Sequence, residues 1–301
     1  MAQATTGKLD SAAPTGSPDG RAAVELLPPE QEILDRAGTE NFSVASLVLG
    51  PQTKRHLLAI YGYARLVDQI GDAVAGDRLA QLDRFETDLL RIFEGAEPDH
   101  PILRRLAPTV HALDLPRGPF LRLIEANRRD QETVSYSTFE ELCGYCDLSA
   151  NPVGELVLHV FGAATPDRIA LSDRVCTALQ LAEHWQDVAE DYRAGRVYLP
   201  ADDLARFSVT PAELGDARTG TSLRALLAFE VARARELLDE GAPLVGTLRG
   251  RARVAVAGYV GGGRATLDAI DAAHHDVLAG APRASRPAKL QATLRTFRRG
   301  S

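Results

Sequence analysis

Along most of the chain after residue 29, apolar residues recur three and four positions apart, the spacing that gives a helix one buried face. This spacing predicts helices over residues 30–37, 41–49, 52–73, 78–94, 99–112, 117–130, 138–146, 151–162, 167–192, 221–240 and 243–278. Pro and Gly separate these segments, as at Gly50-Pro51 and Leu199-Pro200, and the alternating patterns typical of strands are nearly absent. The pattern therefore predicts an all-α protein.

The first 28 residues have a different composition, in which Ala, Thr, Gly, Ser, Pro and Asp dominate. Such a segment buries too little apolar surface to offset the entropy lost on folding, so residues 1–28 are predicted to form a disordered tail. Residues 29–301 are long enough to bury a substantial core. We expect them to form one all-α domain that ends in a basic C-terminal tail.

The charge and cysteine content exclude several classes of protein. A formal net charge of −7 argues against general nucleic-acid binding, and three cysteines do not predict a disulfide framework. The chain has neither a secretory signal nor an apolar run of about 18 residues, so a cytoplasmic location is expected.

The C-terminal residues are strongly basic. After Asp276 there is no acidic residue, and the basic residues are Arg283, Arg286, Lys289, Arg295, Arg298 and Arg299. Two interpretations of residues 283–299 stay open. One is an ordinary solvated tail, and the other is peripheral contact with an anionic membrane at its inner face.

Two acidic residues lie four positions apart in the predicted helix 52–73. Asp68 and Asp72 would point the same way from this helix, beside apolar residues such as Val67 and Ile70. Two like charges on a partly apolar face repel each other and lose hydration, which is costly unless a positive charge lies between them. A hard divalent cation would supply that charge.

A second acidic cluster lies in the predicted helix 167–192. Glu183, Asp187 and Asp191 form an i, i+4, i+8 series, and Glu190 lies one position off it. Oxygen ligands without cysteine suit Mg²⁺, which usually shares its coordination shell with phosphate oxygens. Two such helices facing each other would therefore form a diphosphate clamp.

Two arginines accompany the acidic clusters. Arg65 lies three positions before Asp68, and Arg196 follows the second cluster. A guanidinium group matches the geometry of a phosphate, so both favour a clamp. An acidic pair on a helix is nevertheless most often a solvated face, and a single arginine is most often a surface residue. Two clusters with apolar flanks favour a metal site, but their spacing does not identify a substrate.

Several segments together resemble the squalene/phytoene synthase family. Asp68-Gln-Ile-Gly-Asp72 resembles its first aspartate-rich motif. Asp187-Val-Ala-Glu-Asp191, followed by Gly195-Arg-Val-Tyr-Leu-Pro200, resembles its second. Tyr145-Cys-Asp-Leu-Ser-Ala-Asn-Pro-Val-Gly154 resembles a further family segment. The resemblance implies a single-domain isoprenoid synthase fold with a central helix-lined cavity, Mg²⁺ as cofactor and an isoprenoid diphosphate as substrate.

Three segments are similar to one branch of this family, the bacterial hopanoid-cluster branch, whose members form hydroxysqualene. They are Asn41-Phe-Ser-Val-Ala-Ser46, Ser149-Ala-Asn-Pro-Val-Gly154 and His184-Trp-Gln-Asp187. This similarity implies that presqualene diphosphate is ionised, that water traps the rearranged cation and that diphosphate is released. It also implies association with neighbouring enzymes of the squalene pathway.

The resemblance and the residue chemistry together assign three groups of site residues. The expected metal ligands are Asp68, Asp72, Glu183, Asp187 and Asp191. The expected catalytic residues, which meet the leaving diphosphate or the cation, are Tyr61, Arg65, Tyr145, Arg196, Tyr198 and Tyr259. The expected substrate-binding residues are Asn41, Phe42, Ala150, Asn151, Gly154, Gln180 and Gln186. Among the last group, Asn151 and Gln186 are the candidates for holding the attacking water.

Two positions depart from the family pattern. Gln69 stands where the family usually has Asp, and Glu183 stands where it usually has Asn, which leaves the number of metal ions open. Two alternative functions also stay open. The first is head-to-head condensation of two prenyl diphosphates to presqualene diphosphate, phytoene or dehydrosqualene. The second is a catalytically degenerate helical partner protein.

Overall fold

The computed structural model describes residues 49–72 and 76–300, and these residues form helices and no β-strand. The α-helices are α1 (Pro51–Asp72), α2 (Arg78–Phe93), α3 (Pro101–Leu113), α4 (Arg117–Arg129), α5 (Phe139–Ser149), α6 (Asn151–Val160), α7 (Pro166–Gln186), α8 (Val188–Arg193), α9 (Ala201–Arg206), α10 (Thr221–Gly241), α11 (Leu244–Thr247), α12 (Gly250–Ala272) and α13 (Arg286–Arg299). A 3₁₀ helix covers Pro211–Gly215. The all-α prediction is confirmed for the described residues.

Side-chain caps explain where several helices begin. The side chain of Thr138 accepts a hydrogen bond from the backbone N–H of Glu141 at the start of α5. The side chain of Thr165 does the same for Arg168 at the start of α7, where Pro166 occupies the first turn. These caps satisfy N–H groups that have no partner within the helix.

The predicted helix 167–192 is two helices in the structure. It is interrupted at Asp187, whose backbone (φ −102°, ψ 17°) departs from helical geometry. The backbone N–H of Asp187 still donates to the carbonyl of Glu183, and that of Asp191 donates to the carbonyl of Asp187. The acidic series therefore continues across a local irregularity rather than along one straight helix.

Two other boundary predictions were wrong at the C-terminal end. The segment predicted as one helix over 243–278 is α11 followed by α12, because the chain is extended at Leu248 and Arg249. The basic segment expected as a tail contains α13. The side chain of Ser285 caps this helix by accepting from Ala288 N, and Gly300 ends it in the left-handed conformation (φ 70°).

The apolar side chains form two clusters. One consists mainly of residues of α1 to α4, including Tyr63, Leu66 and Phe120. The other is built mainly by α5, α6, α7, α10 and α12, with Trp185 fully buried in it. Helix α6 joins the two clusters, since Leu156 belongs to the first and Leu158 to the second.

Some predictions concern residues outside the described ranges. The tail over residues 1–28, the helix over 30–37, all but the last residue of the helix over 41–49, and the site residues Asn41 and Phe42 lie there. The division into a tail and one domain over 29–301 stays a prediction. Among the helices that the structure describes, none combines the length and apolar character needed to cross a bilayer.

Candidate active site

The first acidic cluster lies at the C-terminal end of α1, which ends at Asp72. The side chain of Asn127, from α4, donates from Nδ2 to Oδ1 of Asp68 over 3.3 Å. The side chain of Asp68 is accessible to solvent, although protein surrounds much of it. Desolvation by that protein raises the pKa of Asp68 to about 6, Asn127 opposes the shift and nearby Asp72 adds to it.

The turn that follows α4 also holds the backbone beside Asp68. Gln131 donates from Nε2 to the carbonyl of Gly71 over 3.0 Å. Gly71 itself lies against Asn127, because a Cβ at position 71 would come within 2.2 Å of Asn127 Oδ1. The glycine in the first motif thus allows the buried amide of Asn127 to reach Asp68.

The second acidic cluster lies at the junction of α7 and α8. Desolvation by the surrounding protein raises the pKa of Asp187 to about 6, and the negative charges of Glu190, Glu183 and Asp191 add to this shift. Arg283, from the segment before α13, opposes it. These carboxylates therefore share a region in which negative charge is only partly compensated.

Arg196 links the two clusters. Its Nη2 donates to Oδ1 of Asp72 over 2.6 Å, and both side chains stay partly exposed. The segment that carries Arg196 is fixed by a hydrogen bond from Val197 N to the carbonyl of Val134. Arg196, which follows the second motif in the sequence, therefore contacts the first motif.

Aromatic rings pack beside Arg196. The rings of Tyr136, Tyr145 and Tyr198 lie within about 6 Å of one another, and the ring of His184 stacks on Tyr198 at 3.7 Å. The hydroxyl of Tyr145 donates to Oδ2 of Asp130 over 2.9 Å. Desolvation raises the pKa of Asp130, while Tyr145 and Arg196 oppose the shift.

His184 connects this aromatic group to the second cluster. Its Nδ1 lies 3.8 Å from Oδ2 of Asp191, and its Nε2 lies 3.2 Å from Nε2 of Gln180. Asp130 and Asp191 both lie close enough to Tyr198 to act on it by their charge.

A cavity of about 390 Å³ opens beside the second cluster. Its lining includes Glu183, Gln186, Asp187, Tyr259 and Arg283. The carboxylates and Arg283 bring charge into a lining whose other residues are mostly small or apolar. Burial raises the pKa of Tyr259 to about 12, so its hydroxyl stays protonated at neutral pH.

A second cavity of about 260 Å³ is mainly apolar. Ala150, Gly154 and Gln180 line it, and it shares Leu179, Glu183 and Tyr259 with the larger cavity. A Cβ at Gly154 would lie 2.4 Å from Ser172 Oγ, so a small residue is required where α6 meets α7. A cavity with charged groups in its lining and a mainly apolar cavity thus have a common wall.

The surroundings of three expected site residues differ from those that the sequence predicted. Asn151 is buried outside both cavity linings, where its amide donates to Asp147 and accepts from Thr177. It joins helices instead of being available to hold water. Gln186 does line the larger cavity, but its Nε2 donates to the carbonyl of Pro282. Tyr61 packs against the apolar cluster of α1 to α4.

Two residues of α1 in or beside the first motif have buried polar atoms without hydrogen-bond partners. The Nε of Arg65 is one of them, and the Oε1 of Gln69 is the other. Arg65 nevertheless acts on Asp68, since its positive charge opposes the rise in the pKa of that carboxyl. Arg65 therefore lies near the first motif, as predicted.

The sequence patterns missed several residues that shape this region: Asn127, Asp130, Gln131, Tyr136, His184 and Arg283. Most are single polar residues in otherwise ordinary helices or turns, so no spacing marks them. His184 is the exception, because it lies directly within the second cluster.

The carboxylates fit a divalent cation by their chemistry. They offer only oxygen donors, and at Asp68 and Asp187 desolvation and like charges disfavour the ionised form. Within residues 49–72 and 76–300, however, no three His, Cys, Asp or Glu side chains come together as a ready-made metal site. The ligand set expected from the sequence stays a prediction.

An all-α chain with acidic clusters at two helix ends, one of them beside a helix-lined cavity, has the architecture of the isoprenoid synthases. The sequence profile of the squalene/phytoene synthase family matches residues 35–292. A hydroxysqualene synthase of Zymomonas mobilis is 34% identical over 203 residues, which is 66% of this chain and 67% of that protein. A hydroxysqualene synthase of Rhodopseudomonas palustris is 36% identical over 219 residues, which is 70% of this chain and 72% of that protein.

A solved structure agrees with these relatives. The crystal structure of squalene synthase HpnC from Alicyclobacillus acidocaldarius superposes with a TM-score of 0.76 at 41% identity, over 84% of this chain and 98% of that one. The chain therefore belongs to the squalene/phytoene synthase family, and it is an enzyme of that type. The predicted isoprenoid synthase fold is confirmed. Enzymes of this family act on isoprenoid diphosphates and generally use a divalent metal.

Proposed function

We propose that this enzyme converts presqualene diphosphate to hydroxysqualene and releases diphosphate, in a bacterial route to squalene and hopanoids. The carbon–oxygen bond to diphosphate breaks and its electron pair leaves with the diphosphate. Water then adds its oxygen to the rearranged cation and loses a proton. The proposal is supported by relatives of 34% and 36% identity that are named for this product.

The observation that carries the proposal is the wall common to the two cavities. Glu183 and Tyr259 line both the larger cavity, which contains charged groups, and the mainly apolar one. A substrate with a charged diphosphate and long hydrocarbon arms needs such a pair of environments side by side. The small residues Ala150 and Gly154 leave room for an arm between α6 and α7.

The basic and aromatic side chains have separate roles in the proposed reaction. Arg65 and Arg196 donate hydrogen bonds to the leaving diphosphate, for which the guanidinium fork is well shaped. The rings of Tyr145, Tyr198 and Tyr259 present faces that attract a carbocation without adding to it. Asp130 orients the Tyr145 ring by accepting its hydroxyl.

The proposed cofactor is Mg²⁺. The residues that would hold it are Asp68, Asp72, Glu183, Asp187 and Asp191. When bound, Mg²⁺ neutralises the diphosphate and makes it a better leaving group. Asn127 supports this role by fixing the orientation of Asp68.

The proposal also includes a place in the cell. We expect the enzyme in the cytoplasm, at the inner face of the membrane and close to neighbouring enzymes of the squalene pathway. The basic residues between positions 283 and 299 support this expectation, because each basic residue near an anionic surface contributes about 1 kcal/mol to binding.

The test is to incubate the full chain with presqualene diphosphate and Mg²⁺ in the absence of NADPH, and to analyse the products by mass spectrometry. Hydroxysqualene should form and, in ¹⁸O-labelled water, should carry the label. A parallel reaction contains farnesyl diphosphate alone. Product from farnesyl diphosphate would instead identify head-to-head condensation, and no conversion of either substrate would favour the degenerate partner protein. Chelation of Mg²⁺ should stop the reaction.

A further inference from the structure

The C-terminal helix α13 turns small and polar side chains towards the protein. Thr293 lies against α12 so closely that a Cβ at Gly261 would come within 2.5 Å of its Cα. Thr296 is fully buried and its hydroxyl accepts a hydrogen bond from Arg264. A surface helix usually buries its apolar face instead.

The larger apolar side chains of α13 stay accessible to solvent, although the guanidinium of Arg253 lies 4.8 Å from the centre of the Phe297 ring. Leu290, Leu294 and Phe297 are 53%, 47% and 37% exposed. Their i, i+4, i+7 spacing places them on one side of the helix, and we call them the outer stripe. Only two other large apolar side chains in the described part of the chain, Leu79 and Val134, are similarly exposed. The exposure is therefore concentrated on α13.

The charge of α13 is of one sign. The helix has no acidic residue, and its basic residues are Arg286, Lys289, Arg295, Arg298 and Arg299. An apolar stripe with basic side chains around it is the pattern of helices that lie in the interface of an anionic bilayer. A second copy of this helix is a poor partner for the stripe, because the two positive charges would repel each other.

We propose that α13 docks the enzyme onto an anionic lipid surface, with the outer stripe inserted among the lipids. The stripe lies next to the larger cavity, since Lys289 and Thr293 of the same helix line that cavity. A docked enzyme would therefore hold the cavity close to the lipid. A substrate with long hydrocarbon arms partitions into that lipid, and so does its product. The docking deepens the membrane contact proposed above by assigning it to the outer stripe, and the benefit to the substrate rests on the proposed function.

The test measures binding of the full chain to vesicles by flotation. Vesicles of phosphatidylcholine are compared with vesicles that also contain phosphatidylglycerol. The wild type should bind the anionic vesicles, and Leu290→Gln/Leu294→Gln should bind them at least about tenfold more weakly, because two apolar side chains no longer enter the bilayer. Leu79→Gln is the matched control, since it removes an exposed leucine elsewhere, and it should bind like the wild type. Arg295→Gln/Arg298→Gln/Arg299→Gln should weaken binding mainly at low salt.

Three results would overturn the proposal: no binding by the wild type, unchanged binding by the double leucine variant, or equal binding to both kinds of vesicle. A covering of the stripe by residues 1–48 would give the first of these results. A change in oligomeric state in the double variant, with unchanged vesicle binding, would also overturn it.

Turnover of presqualene diphosphate in detergent is measured separately. A wild type that binds vesicles but converts no presqualene diphosphate contradicts the proposed function alone.

Discussion

The Nη2 of Arg196 donates a hydrogen bond to Oδ1 of Asp72 over 2.6 Å, although the two residues are 124 positions apart in the sequence. Both side chains are partly exposed, so the pair stabilises the fold by at most about 1 kcal/mol. Its importance is in the site, because it places a cation and a carboxylate of different motifs in direct contact. Arg196 occupies an oxygen of Asp72 that we expect to bind metal.

The first prediction concerns this pair. In Arg196→Gln, turnover should fall by at least about tenfold, because a charged donor to the diphosphate is lost. Half-saturation with Mg²⁺ should occur at a lower concentration, since Asp72 is no longer engaged by Arg196. Arg196→Lys should show intermediate turnover, because it restores the charge but not the planar fork. Turnover measured against Mg²⁺ concentration decides this, and an Arg196→Gln enzyme within twofold of the wild type would contradict the assigned role.

The second prediction concerns Asp187 in the second cluster. Asp187→Ala should lower turnover by more than about a hundredfold, because metal stabilisation of a leaving group contributes several kcal/mol. Glu190→Gln is the control, since Glu190 is exposed, affects Asp187 only by its charge and does not line either cavity. Its turnover should stay within a few-fold of the wild type. Equal losses of turnover in both variants would show that turnover depends on the net charge of the cluster and not on Asp187 as a particular ligand.

The third prediction concerns the contact between Gly71 and Asn127. A methyl group at position 71 would collide with the Asn127 side chain and separate it from Asp68. Gly71→Ala should therefore lower the free energy of unfolding by about 1 to 3 kcal/mol and also lower turnover.

Gly144→Ala in α5 is the matched control for Gly71→Ala. A Cβ at position 144 meets no atom within 4 Å, so the same substitution there should raise the free energy of unfolding by about 0.5 to 1 kcal/mol. Denaturant unfolding and turnover measure both effects. If Gly71→Ala behaves like Gly144→Ala, Asn127 does not position Asp68.

The fourth prediction concerns a buried carboxyl group away from the site. Burial raises the pKa of Glu230, on α10, from 4.5 to about 8, although Arg233 opposes the shift and Asp203 adds to it. Between these two pH values the folded state binds more protons than the unfolded state. The free energy of unfolding should therefore fall as pH rises, by up to about 1.4 kcal/mol per pH unit from this group.

The variant Glu230→Gln removes this titration. As pH rises from 5 to 9, the free energy of unfolding of Glu230→Gln should increase relative to that of the wild type. Glu236→Gln, on the exposed side of the same helix, is the control and should show no such trend. Chemical unfolding at several pH values provides the measurement. A pH-independent difference for Glu230→Gln would mean that Glu230 is ionised in the folded protein throughout.

The sequence alone predicted the all-α fold, the two acidic clusters and most helix boundaries, because helical periodicity and capping are local properties of the chain. The cap residues Ser285 and Gly300 were also present in the sequence, but their few apolar neighbours obscured α13. Local spacing correctly placed Asp68 and Asp72 near the end of one helix. It did not show that Asp187 interrupts another, because a one-residue departure from helical geometry leaves the apolar spacing almost unchanged.

Only the tertiary structure decided which residues complete the site. Periodicity identifies the buried face of a helix, but it does not identify the helix that packs there. The contact of Asn127 with Asp68 and the hydrogen bond from Tyr145 to Asp130 each join different parts of the chain. The outward direction of Leu290 and Leu294 likewise depends on how closely α13 approaches Gly261 of α12. Such choices depend on the packing of many side chains at once, and no local pattern contains them.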